Sequence, residues 1–436
     1  MQKKVHQRPK SGGGPPVSPV PDENLNALVA VLDAVRHGGA NSRPAIISRT
    51  GLGRAVVGQR VADLLDLGLV RTDGLGQSSG GRAPRAIRLN SAVGHSLVAD
   101  LGATSVAVAV ADLAGRLIAH HEEPGDITRG PEAILGRIDT LFERMIAKTG
   151  MEPGSRWGIG IGVPGPVEFA TGRTIAPPIM PGWDRYAVRE RFATRYAVPV
   201  WVDNDVNMMA LGEYRAGVAK HHENAIFIKI GSGIGAGLLI DGRLHRGVQG
   251  SAGDVGHVQV SDDPTIVCRC GNTGCLEALA GGAALARLGA EAAADGRSPV
   301  LAERLGQRSG IDASDVAWAA TRGDPFSVEL IAQAGRLTGR MVATLVNALN
   351  PSLVIIGGGV AHAGDVLLAA IRETVYARSL PLATRDLRIL GSGLGDLAGL
   401  TGAAHMVADE LFARQRIARW LPTGTPHGHP EVAFAW

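Results

Sequence analysis

The sequence predicts an α/β body preceded by a small helical module that ends in a two-stranded hairpin. Three observations carry that prediction. Helical and strand patterns alternate from about residue 90 to about residue 412. Three short amphipathic helical patterns precede them, followed by a hairpin pattern. The charge divides at the same place: residues 1–90 hold 13 Lys and Arg against 6 Asp and Glu, and the remainder holds 31 against 35. A length of 436 residues allows two or three domains. Sixty glycines with no three-residue period suit tight turns and close approach to ligands, not a collagen-like rod. No apolar run approaches the roughly 20 residues of a membrane span.

Residues 1–23 read as a disordered basic arm rich in Gly, Pro, Ser and Lys. They carry Lys3, Lys4, Arg8 and Lys10 but no apolar core of a signal peptide. The first helix places Leu25, Leu28, Val29, Leu32 and Val35 on one face and stops at His37-Gly38-Gly39. Ser42 caps a second helix, with Pro44 in its first turn, and Thr50-Gly51 ends it. A third helix sets Val57, Val61, Leu64 and Leu65 toward the core and ends at Gly68. Leu69-Val70-Arg71 and Ala86 to Leu89 read as two strands around a Gly/Ser/Arg loop, Gly74 to Arg85.

This is the outline of a winged helix-turn-helix, whose third helix enters the major groove of double-stranded DNA. At about 100° per residue, Ala55, Gln59 and Ala62 lie opposite the core face. Gln59 suits adenine edges, Arg60 guanine or phosphate, and Arg54 a phosphate near the first turn. Arg82 and Arg85 in the wing suit a narrow minor groove. Asp63 and Asp66 lean toward the exposed side and oppose phosphate. A helical protein-interaction domain with a basic loop is the competing reading. The helix spacing, the basic excess and the arginine-bearing wing together favour DNA.

In the body, Ser96 to Ala111 reads as two strands around Asp100-Leu101-Gly102-Ala103-Thr104, with a third strand over Asp112 to Ile118. Backbone N–H groups in that turn can hold a phosphate, and Asp100 can orient a metal-bound water. A second glycine turn, Gly231 to Gly237, lies between strands Ala225–Ile230 and Leu238–Ile240. Each turn alone only turns the chain, but one near the start of each half of an α/β body is more specific. Asp203-Asn204-Asp205 follows the apolar strand Val198 to Val202, where α/β sheets bind ligands. Asn and Asp side by side suit sugar hydroxyls, and the carboxylate can act as a general base. Capping of the following helix by Asp205 explains the same residues equally well. The three cysteines sit within eight residues, Cys268, Cys270 and Cys275, downstream of His257. Three thiolates and one imidazole fill a tetrahedral Zn²⁺ with no open position, which predicts a structural site. The competing reading is three buried free thiols in a reduced compartment.

The residues Gly253-Asp254-Val255-Gly256-His257 and Cys268-Arg269-Cys270-Gly271-Asn272-Thr273-Gly274-Cys275-Leu276-Glu277 resemble signatures of the ROK family of repressors, uncharacterised reading frames and sugar kinases. Supporting matches are Gly160 to Val167, Pro181-Gly182-Trp183, Asn204-Asp205 and Gly357-Gly358-Gly359. The resemblance covers about residues 24–412. It implies an actin-like ATPase (ribonuclease H-like) two-lobed body behind an α+β winged helix-turn-helix domain. The expected boundaries are 24–90 for DNA binding, 94–204 for a small lobe completed by a helix near 398–412, 205–397 for a large lobe with the zinc site, and 413–436 for a tail.

The resemblance implies a sugar held by Asn204, Asp205, Asp254, His257 and Glu277. Asp205 takes the place of the kinases' catalytic base, and His257 touches sugar through one ring nitrogen and zinc through the other. Gly102, Thr104, Gly233 and Gly235 match phosphate-loop positions. Two positions depart from the family pattern. Asp254 stands where the family has Glu, one methylene longer. Ser105 stands where the kinases place Lys or Asn after the Thr, and it cannot neutralise phosphate, which argues against ATP and Mg²⁺. The expected function is a sugar-responsive transcriptional repressor, cytoplasmic, acting as a homodimer or dimer of dimers on a DNA operator. Its effector would be a monosaccharide or aminosugar. The alternative is an ATP-dependent hexose kinase.

Overall fold

A computed structural model describes residues 22–75, 85–308 and 310–434. The chain divides into two compact units, one formed by the residues up to Asn90 and those from Leu411 on, the other by Ser91–Glu410.

The first unit begins with α1 (Asp22–Arg36), α2 (Arg43–Thr50) and α3 (Arg54–Asp66), then β1 (Val70–Leu75) and β2 (Arg85–Leu89). Ser42 accepts the Ala45 N–H and starts α2. Gly51 ends that helix at φ +69°, where a side chain is strained. The core takes Leu25, Leu28, Val31 and Leu32 from α1, with Val57, Val61 and Leu64 from α3. Val29, Val35 and Leu65, expected inside, are only half-buried. β1 and β2 pair antiparallel from Val70↔Leu89 to Leu75↔Arg85, with an irregularity between Asp73 and Leu75.

The body holds two five-stranded sheets. The first comprises β3 (His95–Leu101), β4 (Ser105–Asp112), β5 (Leu117–Pro124), β6 (Arg156–Val163) and, after a small ribbon of β7 (Val167–Glu168) and β8 (Arg173–Thr174), β9 (Val200–Asn204). Helices α4 (Pro131–Thr149) and α5 (Val188–Tyr196) cover it, burying Leu135, Ile138, Phe142 and Phe192. The third strand starts later than the expected Asp112. Asp112 Oδ1 accepts the N–H groups of Ala114 (2.9 Å) and Arg116 (3.1 Å), which folds the chain into a turn there.

After α6 (Asp205–Ala216) come β10 (Ala225–Ile230), β11 (Ile234–Ile240) and β12 (Arg243–Leu244). Helices α7 (Leu276–Ala280), α8 (Gly282–Ala294), α9 (Pro299–Gln307), α10 (Ala313–Thr321) and α11 (Pro325–Leu349) follow. β13 (Leu353–Gly357), α12 (Asp365–Arg378), α13 (Pro381–Thr384), β14 (Arg388–Gly391) and α14 (Ala398–Phe412) complete the body.

The two sheets share one plan. Their orders are β5-β4-β3-β6-β9 and β12-β11-β10-β13-β14. In each, the central first strand pairs antiparallel with the next strand and parallel with the fourth. The register places Asp100 of β3 beside Gly162, and Lys229 of β10 beside Gly357. These two residues therefore hold the same position in the two sheets, each two residues before the glycine that opens its hairpin.

Glycines on β6 admit α14: a Cβ on Gly160 would lie 2.8 Å from the Ala403 carbonyl oxygen. Residues 413–436, read from sequence as a tail, carry α15 (Arg414–Trp420) and two short 3₁₀ turns. Within the first unit, Arg414 donates to Asn26 and the Arg36 guanidinium lies 4.5 Å from the Phe412 ring centre.

Candidate functional site

The site grows from the C-terminal ends of the central strands, where backbone groups are freed as each sheet stops. A cleft of about 120 Å³ is lined by Asn204, Asp205, Lys229, Gly233, Gly235, Asp254, His257 and Glu277, among others. All five expected sugar residues thus face one space.

Asn204 ends β9 and caps α6. Its Oδ1 accepts the N–H groups of Val206 (2.9 Å) and Asn207 (3.4 Å), and its Nδ2 donates to the Gly165 carbonyl (3.1 Å). Capping therefore falls to Asn204, not to Asp205. Asp205 is buried in the first turn, where its Oδ1 accepts the Val206 N–H (2.9 Å) and its Oδ2 pairs with the Lys229 ammonium. Asp203 points elsewhere: it accepts from Arg246 Nε (2.6 Å) and Asn207 Nδ2 (2.8 Å), with the Arg246 guanidinium 3.9 Å over the Phe169 ring. It anchors the loop after β12.

The second hairpin turns over Gly231-Ser232-Gly233, and β11 begins at Ile234. Gly235 and Gly237 therefore lie in the strand and not in the turn. The reason is α6, since a Cβ on Gly237 would lie 2.5 Å from the Ala210 Cβ, and one on Gly235 would lie 3.0 Å from Val206. Gly233 makes room for Glu277, whose Oε2 would be 2.2 Å from a Cβ there. That carboxylate accepts the Ile234 N–H at 3.1 Å. In the first hairpin, Gly102 N–H donates to the Ser105 carbonyl (2.9 Å), and Ala103 lines the cleft while Gly102 and Thr104 do not.

His257 and the three cysteines bring their ligand atoms within 4.8 Å of one another. The Cys270 and Cys275 sulfurs are 3.8 Å apart, and Cys268 Sγ lies 3.6 Å from His257 Nδ1. A tetrahedral ion with bonds of about 2.3 Å to sulfur and about 2.0 Å to nitrogen separates its ligands by about 3.8 Å (S–S) and about 3.5 Å (S–N). The residues therefore fit a Zn²⁺-sized ion. A tight loop shapes the cage: Cys268 N–H donates to the Asn272 carbonyl (2.8 Å), and Gly271 and Gly274 adopt φ of +93° and +68°. Burial pushes the Cys275 thiol up to about 12, with Cys270 and Cys268 adding to the effect, so a cation is needed to hold it as thiolate. His257 Nε2 lies 3.7 Å from Asp254 Oδ1, so the two ring nitrogens address the cage and the cleft separately.

Residues 97–410 match the profile of the ROK family. The chain belongs to the ROK family. It is 31% identical over 396 residues to the xylose repressor of Caldicellulosiruptor bescii, a match covering 90% of this chain and 97% of that protein. It is 32% identical over 311 residues to the glucokinase of Halalkalibacterium halodurans, covering 71% and 94%. Among solved structures, a ROK family transcriptional regulator, a homolog of the E. coli MLC protein, matches with TM-score 0.76 and 25% identity over 90% of this chain and 97% of that one. A ROK family glucokinase from Streptomyces griseus, in complex with glucose and AMPPNP, matches with TM-score 0.63 and 31% identity over 72% and 99%. The two mixed sheets are thus the actin-like ATPase fold of this family, with the N-terminal region present. Among the described residues, no helix is long and apolar enough to cross a membrane.

In the first unit, Arg54 and Gln59 are exposed on α3. Gln59 Nε2 donates to Asp63 Oδ1 (2.9 Å), and Arg60 Nε lies 3.1 Å from Asp63 Oδ2. Asp63 thus restrains two of the residues expected to read DNA. Arg85 begins β2, and Arg82 lies outside the described residues. Sequence reasoning missed Lys229 and Arg246. Lys229 had a signal, since it is one of six lysines in the chain and interrupts the apolar strand Ala225–Ile230.

Proposed function

We propose that this ROK protein is a sugar-responsive transcriptional repressor that binds double-stranded DNA through residues 24–90. The observation that carries this reading is coverage: similarity to a xylose repressor extends over 90% of the chain, while similarity to a glucokinase covers 71%. The ROK profile spans residues 97–410, so a match over 396 residues takes in chain outside the body, where the basic three-helix and hairpin unit lies.

In this reading the first unit is a winged helix-turn-helix. α3 enters the major groove, with Arg54 on phosphate, Gln59 and Arg60 at base edges, and Arg82 and Arg85 of the wing at the minor groove. A monosaccharide or aminosugar binds in the cleft through Asn204, Asp205, Asp254, His257 and Glu277. Zn²⁺ on His257, Cys268, Cys270 and Cys275 is structural, and it fixes the His257 ring and the start of α7, which carries Glu277. Sugar shifts the population of body conformations, and this alters the spacing of DNA-binding units in a cytoplasmic homodimer or dimer of dimers. Fluorescence anisotropy on genomic fragments selected by the immobilised protein tests this. The expected result is salt-sensitive, sequence-dependent binding that one sugar of a panel changes. Binding that no sugar alters, or no sequence-dependent binding at all, refutes it.

The glucokinase similarity and the presence of Asp205 favour a second reading, an ATP-dependent hexose kinase. A coupled ATP assay over the same sugars separates the two: turnover that Asp205→Ala abolishes would establish the kinase.

A further inference from the structure

The fold family's kinases use a nucleotide and a divalent cation beside the carboxylate that Asp205 matches. The residues here do not fit them. Lys229 rises from the central strand of the second sheet and pairs its ammonium with Asp205 Oδ2. The other Asp205 oxygen already accepts the Val206 N–H at 2.9 Å. Both oxygens are thus engaged, and a carboxylate facing a fixed ammonium is a poor acceptor for a transferred proton. A divalent cation at Asp205 would sit against that ammonium in a partly dry cleft, where repulsion is strong. The first hairpin shows the converse: Ser105 supplies no cation for a phosphate, and Asp100 Oδ1 is buried with no hydrogen-bond partner among the described residues.

We propose that Lys229 is a built-in cation of the cleft: it holds Asp205 as a fixed acceptor for a sugar hydroxyl and keeps divalent cations out, so that the chain senses sugar without phosphorylating it. This inference rests on the sugar cleft of the proposed repressor. Burial alone would pull the Lys229 ammonium down, but Asp205 and Asp100 outweigh it and hold it above its ordinary value. It therefore stays charged across the neutral range.

The test is Mn²⁺ binding to the zinc-loaded full chain, followed by the loss of the free-ion paramagnetic resonance signal, with folding checked by circular dichroism. Wild type and Lys229→Arg should bind no Mn²⁺ beyond the background of a Lys229→Met/Asp205→Asn double variant. Lys229→Met should bind one ion per chain at least ~10-fold more tightly than wild type, because the repelling charge is gone and Asp205 is left uncompensated. Lys229→Gln carries the same expectation if the Met variant does not fold. The proposal is overturned if folded neutral variants gain no Mn²⁺ affinity. It is also overturned if wild type binds Mn²⁺ in a way that Asp205→Asn removes, or phosphorylates a sugar with Lys229 in place. None of these readouts involves DNA. A gain of Mn²⁺ affinity alongside absent DNA binding would refute the repressor reading alone.

Discussion

The hairpin β3–β4 and the hairpin β10–β11 stand at matching places in two sheets of one design, yet they are held differently and carry opposite charges. Each closes on its own backbone, Gly102 N–H on the Ser105 carbonyl and Gly231 N–H on the Gly233 carbonyl (both 2.9 Å), and the first presents Asp100. Outside backbone groups, Gly125 and Ile127 N–H, reach the first, whereas the second gains a side-chain brace, Glu277 on the Ile234 N–H, and presents Lys229. Glu277 follows Cys275 by two residues, so the His257–cysteine cluster and the second hairpin are tied together through the first turn of α7. The lesson is that topology repeats positions, not chemistry.

The largest effect is expected from dismantling the His257–cysteine cluster. Cys275→Ser, or removal of metal by a chelator, should weaken sugar binding by ~10–100-fold and lower the melting temperature. Hydrogen exchange should accelerate at Ile234 while Gly102 stays protected, as read by mass spectrometry with a thermal-shift assay. Equal loosening of both hairpins would show that the brace does not distinguish them.

The next effect comes from charge. Burial raises the Asp100 carboxyl from 3.8 to about 7, with Asp205 and Glu122 adding to the effect and Lys229 opposing it. The folded state therefore binds more protons than the unfolded one between those values, and stability falls as pH rises through that window. The cost is fully present above about pH 7 and absent below about pH 4. Asp100→Asn should flatten the slope. Its advantage over wild type, measured by urea unfolding, should grow with pH toward an upper limit of ~4 kcal/mol. An unchanged slope would place the titrating group elsewhere.

Paired glycine substitutions sharpen the same contrast. Gly233→Ala drives a methyl group toward the Glu277 carboxylate, 2.2 Å away, and should cost about 1–3 kcal/mol in sugar binding or stability. Gly102→Ala meets only the Ser105 hydroxyl at 3.0 Å, which can rotate, so less than about 1 kcal/mol is expected. Isothermal titration with the effector sugar reads both. In the first unit, Asp63→Asn frees Gln59 and Arg60 and removes a charge facing phosphate. It should tighten DNA binding by a few-fold and narrow the gap between operator and random sequence, as read by anisotropy.

Parts of this architecture were legible before any coordinates. Ser42 and Gly51 announce the ends of α2 because a cap hydroxyl and a left-handed glycine act within one turn. The cage was legible because cysteine is rare here and its three copies cluster. The third strand was placed too early because the Asp112 turn depends on a side chain folding back on its own backbone. Gly235 read as part of a loop because glycine marks turns and close packing alike, and only α6 against β11 shows which applies. The cap of α6 was read as Asp205, and the Asn204 side chain on the Val206 and Asn207 N–H groups moves it one residue back.

The family, the two-part organisation, the His257–cysteine cluster and the residues that gather at the cleft were readable from the chain alone, since each rests on short-range chemistry or rare residues at fixed spacing. Three-dimensional packing alone brings Lys229 to Asp205, ties Arg246 to Asp203, sets Glu277 against the second hairpin and gathers the residues from Leu411 on into the first unit. Those contacts join groups up to several hundred residues apart. Their partners are chosen by which strands lie side by side and how closely helices approach them, and no local pattern encodes that.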